Sequence, residues 1–209
     1  MRNRISQKAL NQISQAIIIL KQGGVVAFPT DTVYGLGASI NIPGAVERIY
    51  RIKGRSSIKS LPLLISETSQ IEQITDHISP SGKLLIDRFW PGPLTIIINK
   101  LKTIPDIVTS GGLTIAVRIS SHPVPIALIH GLGNPITGTS ANLSGRPSPQ
   151  KAEEVLSQLG STVDMIIEDD EGVTGIESTI IDVSTDIIRL IRKGAISKEA
   201  IEDTIKLKL

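Results

Sequence analysis

Apolar residues recur at helical spacing and then in short β-branched runs, and the two patterns alternate from Ile5 to Lys206. Such alternation restricts a chain to an α/β fold in which helices flank a sheet. Ile5, Ala9, Ile13, Ala16, Ile17 and Leu20 form a helical stripe over 5–22, stopped by Gly23-Gly24. A strand over 25–28 runs into Pro29. A helix is expected over 43–53, with Gly54 as its stop, and then a strand over 61–65. A helix over 81–90 is broken by Pro91-Gly92-Pro93 and followed by strands over 94–99 and 114–119. Next come a short helix over 124–129, a strand over 136–139 opening into a polar loop at 140–149, and an amphipathic helix over 151–159. Strands over 163–168, 178–183 and 187–191 precede a closing helix through Lys206, capped by Ser197 with Glu199 and Glu202 near its start. Short connections between the late strands predict antiparallel pairing there, so the sheet is expected to be mixed. No repeat or linker-like shift divides the chain, and one domain over 1–209 is expected.

The chain contains no cysteine, which excludes thiolate catalysis, cysteine-ligated zinc and disulfides. Hydrophobic residues make up 40%, enough for a core without such staples. The N-terminus offers no apolar leader, and the longest apolar runs are too short to span a bilayer; a cytoplasmic location and no membrane contact are expected. Net charge is +2 and the isoelectric point is near 8.9, so binding of nucleic acid would have to rest on a local patch. Aromatics at 2% leave little to stack on single-stranded bases. No Walker A loop, G-x-G-x-x-G turn, H-E-x-x-H or G-x-S-x-G is present. His77, His122 and His130 are isolated, so structural roles are favoured for all three; His122, before Pro123 in a loop, is the best placed to line a site.

The informative segments are polar loops at strand ends, where α/β folds bind small ligands. The 29–37 segment, PTDTVYGLG, places hydroxyls, a carboxylate and glycines in one turn. It reads equally as a plain strand-ending turn and as a ligand loop. Lys53-Gly54-Arg55, with Lys59 beyond, sits at a helix end; dipole complementation is the ordinary reading and phosphate binding the functional one. In TIAVR, 114–118, alternation puts Thr114, Ala116 and Arg118 on one face, where a mid-strand arginine suits a cleft anion or covers an edge. TSANLSG, 139–145, is dense in neutral donors. ESTIID, 177–182, places Ser178, Ile180 and Asp182 on one face, and Arg192 ends the last strand before Gly194.

With PGPLT at 91–95, these segments occur in an order that resembles the YrdC family of threonylcarbamoyl-AMP synthases, from about Gly23 to about Gly194. The resemblance implies a twisted, open, mixed sheet with flanking helices around a basic concave cavity. It implies that ATP, L-threonine and bicarbonate become threonylcarbamoyl-AMP and pyrophosphate, and that downstream transfer proteins use the product for tRNA threonylcarbamoyladenosine. By resemblance, Thr32, Arg118, Ser140 and Ser178 hold threonine. Arg55, Lys59, Thr114, Asn142, Gln150 and Arg192 hold ATP, and Lys53 and Arg55 are the catalytic residues, with Lys53 on the phosphates. Mg²⁺ is expected to come with ATP rather than in a protein metal cage. The chain departs from the family pattern at Ser56, Leu64 and Lys59, where proline, histidine and asparagine are usual. Two rival readings remain: an RNA-binding module, with the weaker expectation of incidental RNA binding by the enzyme, and a paralogue without synthase activity.

Overall fold

A computed structural model of the chain describes residues 5–54 and 60–209. Among these residues the strands form two mixed sheets. The longer strands are β4 (Leu94–Asn99) and β5 (Thr114–Arg118), paired antiparallel from Ile96↔Val117 to Asn99↔Thr114. They sit in a six-stranded sheet of order β10-β9-β4-β5-β3-β6, with β3 at Leu63–Leu64, β6 at Ile136–Thr137, β9 at Thr179–Asp182 and β10 at Arg189–Arg192. The second sheet has the order β7-β2-β1-β8, with β1 at Val26–Phe28, β2 at Gly35–Gly37, β7 at Thr139–Ser140 and β8 at Met165–Ile166. The expected strand over 136–139 is split at Gly138, so that its halves join different sheets. The expected late antiparallel pair is present between β9 and β10, while β8 pairs parallel with β1.

Strand β2 has a simple steric origin. A Cβ at Gly35 would lie 2.8 Å from the Phe28 ring, and one at Gly37 would lie 2.6 Å from it. Two bare backbones let the ring of β1 lie across β2 and bury completely.

Helix α1 (Gln7–Lys21) starts at Ser6, whose hydroxyl accepts from the Ala9 N–H. Its buried stripe, Ala9, Ile13, Ala16 and Leu20, packs with Val124, Leu128 and Ile129 of α5 (Pro123–Leu132) over β1. The larger core takes one face of the central strands, including Ile96, Ile98, Ile115, Val117 and Ile181, with residues of α2 (Pro43–Ile52), α3 (Pro80–Phe89) and α7 (Lys198–Ile205). Each fully buried isoleucine or leucine there stabilises the fold by about 1.5–3 kcal/mol. Ser79 and Ser197 cap α3 and α7, the latter as expected. With α4 (Asp106–Thr109) and α6 (Ala152–Leu159), the helices flank sheets whose opposite faces remain open to a cavity.

Candidate active site

The cavity has a volume of about 300 Å³ and is walled by both sheets. Alternation along β4 sends Ile96 and Ile98 into the core and leaves Thr95 and Ile97 on the cavity wall. On β5 the same rule presents Ala116 and Arg118, and on the β9 segment Ser178 and Ile180. Strand β10 breaks the rule. Leu190 packs on the core, yet both Ile191 and Arg192 line the cavity, because the register slips between Leu190 and Arg192. That irregularity re-aims the arginine. Thr30, Thr32, Val33, Tyr34 and Gly35 with Thr139 and Ser140 supply the facing wall.

Arg118 is 6% exposed. Its Nε donates to the Gly92 carbonyl (3.0 Å), Nη1 to the Thr32 hydroxyl (2.8 Å) and Nη2 to Asp31 Oδ1 (2.5 Å). Burial lowers its pKa, and the Asp31 carboxylate acts against that shift. The hydroxyls behind it have a defined direction. Thr30 donates to the Val33 carbonyl at 2.7 Å, so in the 2.9 Å Thr30–Thr32 pair Thr32 is the donor. Thr32 therefore offers the cavity a lone pair rather than a proton.

At the other side of the wall, Arg192 Nε and Nη2 donate to the Ser178 carbonyl (3.1 and 2.8 Å), and Nη2 also reaches the Ser178 hydroxyl (3.1 Å). Its Nη1 pairs with Glu177 at 2.5 Å, and Glu177 also accepts from the Ser148 hydroxyl. Thr95 and Ser178 share a hydrogen bond of 2.8 Å. Lys53 ends α2 and is 4% exposed. Its ammonium donates to the carbonyls of Ser140 (2.5 Å) and Asn142 (2.9 Å) and to Asn142 Oδ1 (2.8 Å). Ser140 donates to the same Oδ1, and the Asn142 amide donates to the Arg146 carbonyl. A helix-end cation thus organises the neutral 139–145 loop.

Residues 18–194 match the Sua5/YciO/YrdC family, described as telomere recombination. The chain belongs to that family. A Bacillus subtilis threonylcarbamoyl-AMP synthase is 45% identical over 195 residues, covering 93% of this chain and 56% of the relative. A Vibrio vulnificus protein of the same name is 37% identical, covering 88% of this chain and 100% of the relative. The structure of P. abyssi Sua5 complexed with L-threonine superposes with a TM-score of 0.92 at 37% identity, over 100% of this chain and 61% of that one. E. coli YciO gives 0.82 at 29% identity, over 91% and 93%. The chain therefore spans a little more than half of the B. subtilis relative and the whole length of the V. vulnificus one.

In this Sua5/YciO/YrdC chain, Thr32, Arg118, Ser140, Ser178 and Arg192 all line the cavity. Lys53 and Asn142 stand behind the Ser140 wall, joined to it by hydrogen bonds. Thr114 shares the Arg118 face of β5 but lies beyond the cavity wall, and Gln150 is exposed with its backbone N–H donating to Glu154. Arg55, Ser56 and Lys59 lie outside the described residues. Leu64 lines the cavity with an apolar surface. Sequence reasoning passed over Asp31, Thr95 and Glu177 as site residues. The only sequence signal for Asp31 was its place beside Thr32 in the 29–37 segment.

His122 does not line the cavity; it caps α5 and is 1% exposed. Nδ1 accepts from the Val124 N–H, so Nε2 carries the proton and donates to the Glu171 carbonyl at 3.1 Å. Burial depresses its pKa, opposed only in part by that carbonyl and by Asp169, Asp31 and Glu171. The unfolded chain then binds a proton below about pH 6.5 that the folded chain refuses. Stability is complete above that pH and falls beneath it, by at most about 1.4 kcal/mol per pH unit, until the folded imidazole titrates. Urea midpoints between pH 7 and pH 5 should show this slope, and His122→Asn, which keeps a capping oxygen, should flatten it. An unchanged slope in that variant would assign the acid sensitivity elsewhere.

Proposed function

We propose that this chain makes threonylcarbamoyl-AMP and pyrophosphate from L-threonine, bicarbonate and ATP. The observation that carries the reading is a cavity that sets two fixed arginines, Arg118 and Arg192, among hydroxyls, on the fold of relatives bearing that enzyme's name. No cysteine exists in the chain, and His122 is committed to structure. Threonylcarbamoyl-AMP synthesis needs no protein nucleophile. The threonine amine displaces water from bicarbonate to give a carbamate. A carbamate oxygen attacks the α-phosphorus of ATP, and the bond to the bridging β-phosphate oxygen breaks as pyrophosphate leaves. The protein has to orient the anions and neutralise the leaving charge.

Arg118, Thr32, Ser140 and Ser178 are assigned to threonine, with the open Arg118 N–H groups on its carboxylate. That the P. abyssi Sua5 structure is complexed with L-threonine supports a threonine site on this fold. Arg192, Asn142, Thr114 and Gln150, with Arg55 and Lys59, are assigned to ATP, and Lys53 and Arg55 to its phosphates. Among the described residues no group of three or more His, Cys, Asp or Glu is placed to hold a metal. Glu177, on the cavity wall, is already engaged by Arg192 and Ser148. Mg²⁺ would arrive with ATP, ligated by phosphate oxygens and water. The product would pass to transfer proteins acting on tRNA in the cytoplasm. Among the described residues no helix is long and apolar enough to cross a membrane. Incidental RNA binding would rest on phosphate neutralisation and weaken steeply with salt.

Pyrophosphate release should require L-threonine and bicarbonate together, measured with each omitted in turn. L-Serine, lacking one methyl, should be used about 10–200-fold less efficiently. Release indifferent to threonine would overturn the reading.

A further inference from the structure

We propose that Asp31 is a positioning residue for the substrate carboxylate, acting through Arg118. The inference rests on the functional reading above and deepens it. Asp31 is 8% exposed, and its two oxygens are treated very differently. Oδ1 accepts from Arg118 Nη2 (2.5 Å), from the Ser121 N–H (3.1 Å) and from the Ser120 hydroxyl. Oδ2 is buried and has no hydrogen-bond partner. A buried carboxylate kept for stability alone would be satisfied at both oxygens. Here the donors converge on one oxygen, which grips the guanidinium at a single nitrogen.

The consequence lies in the donors left over. A guanidinium has five N–H groups. Gly92, Thr32 and Asp31 take one each. One N–H on each terminal nitrogen is left for a ligand. A two-pronged Asp31–Arg118 pair would occupy a further donor and blunt the fork that recognises a carboxylate. Ser120 and the Ser121 backbone hold Oδ1 in place, and the Thr174 hydroxyl donates to the Asp31 carbonyl at 3.0 Å, so the anchor is itself anchored.

Asp31→Asn keeps the shape and removes the charge. With pyrophosphate release as the assay, it should raise the KM for L-threonine by about tenfold or more, the loss of one charge-assisted hydrogen bond, and change the KM for ATP less than about twofold. Calorimetric binding of L-threoninol, which has no carboxylate, should be unchanged, while binding of L-threonine weakens. Ser120→Ala keeps the Asp31 charge and removes one bond to Oδ1. It should raise the threonine KM by a smaller factor, and it decides the matter where Asp31→Asn does not fold. An unchanged threonine KM, or equal rises for threonine and ATP, overturns the proposal. A wild-type protein that neither binds threonine nor releases pyrophosphate overturns the functional reading instead.

Discussion

Arg118→Ala should raise the KM for L-threonine by about 10–150-fold, the equivalent of about 1.5–3 kcal/mol of charge-assisted hydrogen bonding. It should also lower stability without any ligand, because Asp31 would keep a buried charge while losing its counter-ion. Breaking one side of such a pair costs about 3–5 kcal/mol. The two effects separate in a double variant. Arg118→Ala with Asp31→Asn removes both charges, so it should regain much of the melting temperature and none of the threonine use. Arg118→Lys keeps the charge, loses the fork, and should fall between wild type and alanine in threonine KM. Thermal melts and steady-state pyrophosphate release on the four proteins measure both quantities. A double variant that recovers threonine use would mean that Arg118 does not bind substrate.

What the sequence revealed of this site follows how far alternation operates. Along β4 and β5, apolar residues facing the core and Thr95, Ile97, Ala116 and Arg118 facing the cavity are a period of two written in the chain. At β10 that logic fails, because the register shift turns Arg192 toward the cavity although Leu190 points to the core. No residue type announces it. Strand β2 is hidden for the opposite reason: two glycines carry no strand preference, and only the Phe28 ring explains them. The division into two sheets is equally silent, since it depends on where Gly138 interrupts a short polar strand. Asp31 was visible as a carboxylate but not as the partner of an arginine distant in sequence. Side-chain pairing across elements is a property of packing rather than of local pattern.

Lys53 carries the second large effect, and two roles compete for it. At a helix end before Gly54 it reads as a phosphate ligand, and in the structure its ammonium donates to Ser140 and Asn142. The backbone completes the link, with the Ser144 N–H donating to the Lys53 carbonyl at 2.9 Å. Lys53→Met preserves the apolar stem and takes the ammonium away from these loop oxygens. Asn142 Oδ1 keeps the Ser140 hydroxyl and the Ser140 carbonyl keeps the Asn142 N–H, so the loss falls hardest on the Asn142 carbonyl. Losing these charge-assisted bonds, with one buried carbonyl left open, should cost about 1.5–3 kcal/mol. A chain of this length would show that as a fall of roughly 2–4 °C in melting temperature per kcal/mol. The fall should appear without ligand, and the KM values for threonine and ATP should both rise, because Ser140 faces the cavity and Asn142 braces it. A lysine reserved for phosphates predicts otherwise: unchanged melting of the ligand-free protein and a defect confined to ATP. If the melting curve of Lys53→Met superposes on wild type, the loop does not depend on this ammonium. If it falls and both substrates suffer, Lys53 shapes the 139–145 wall before any nucleotide arrives.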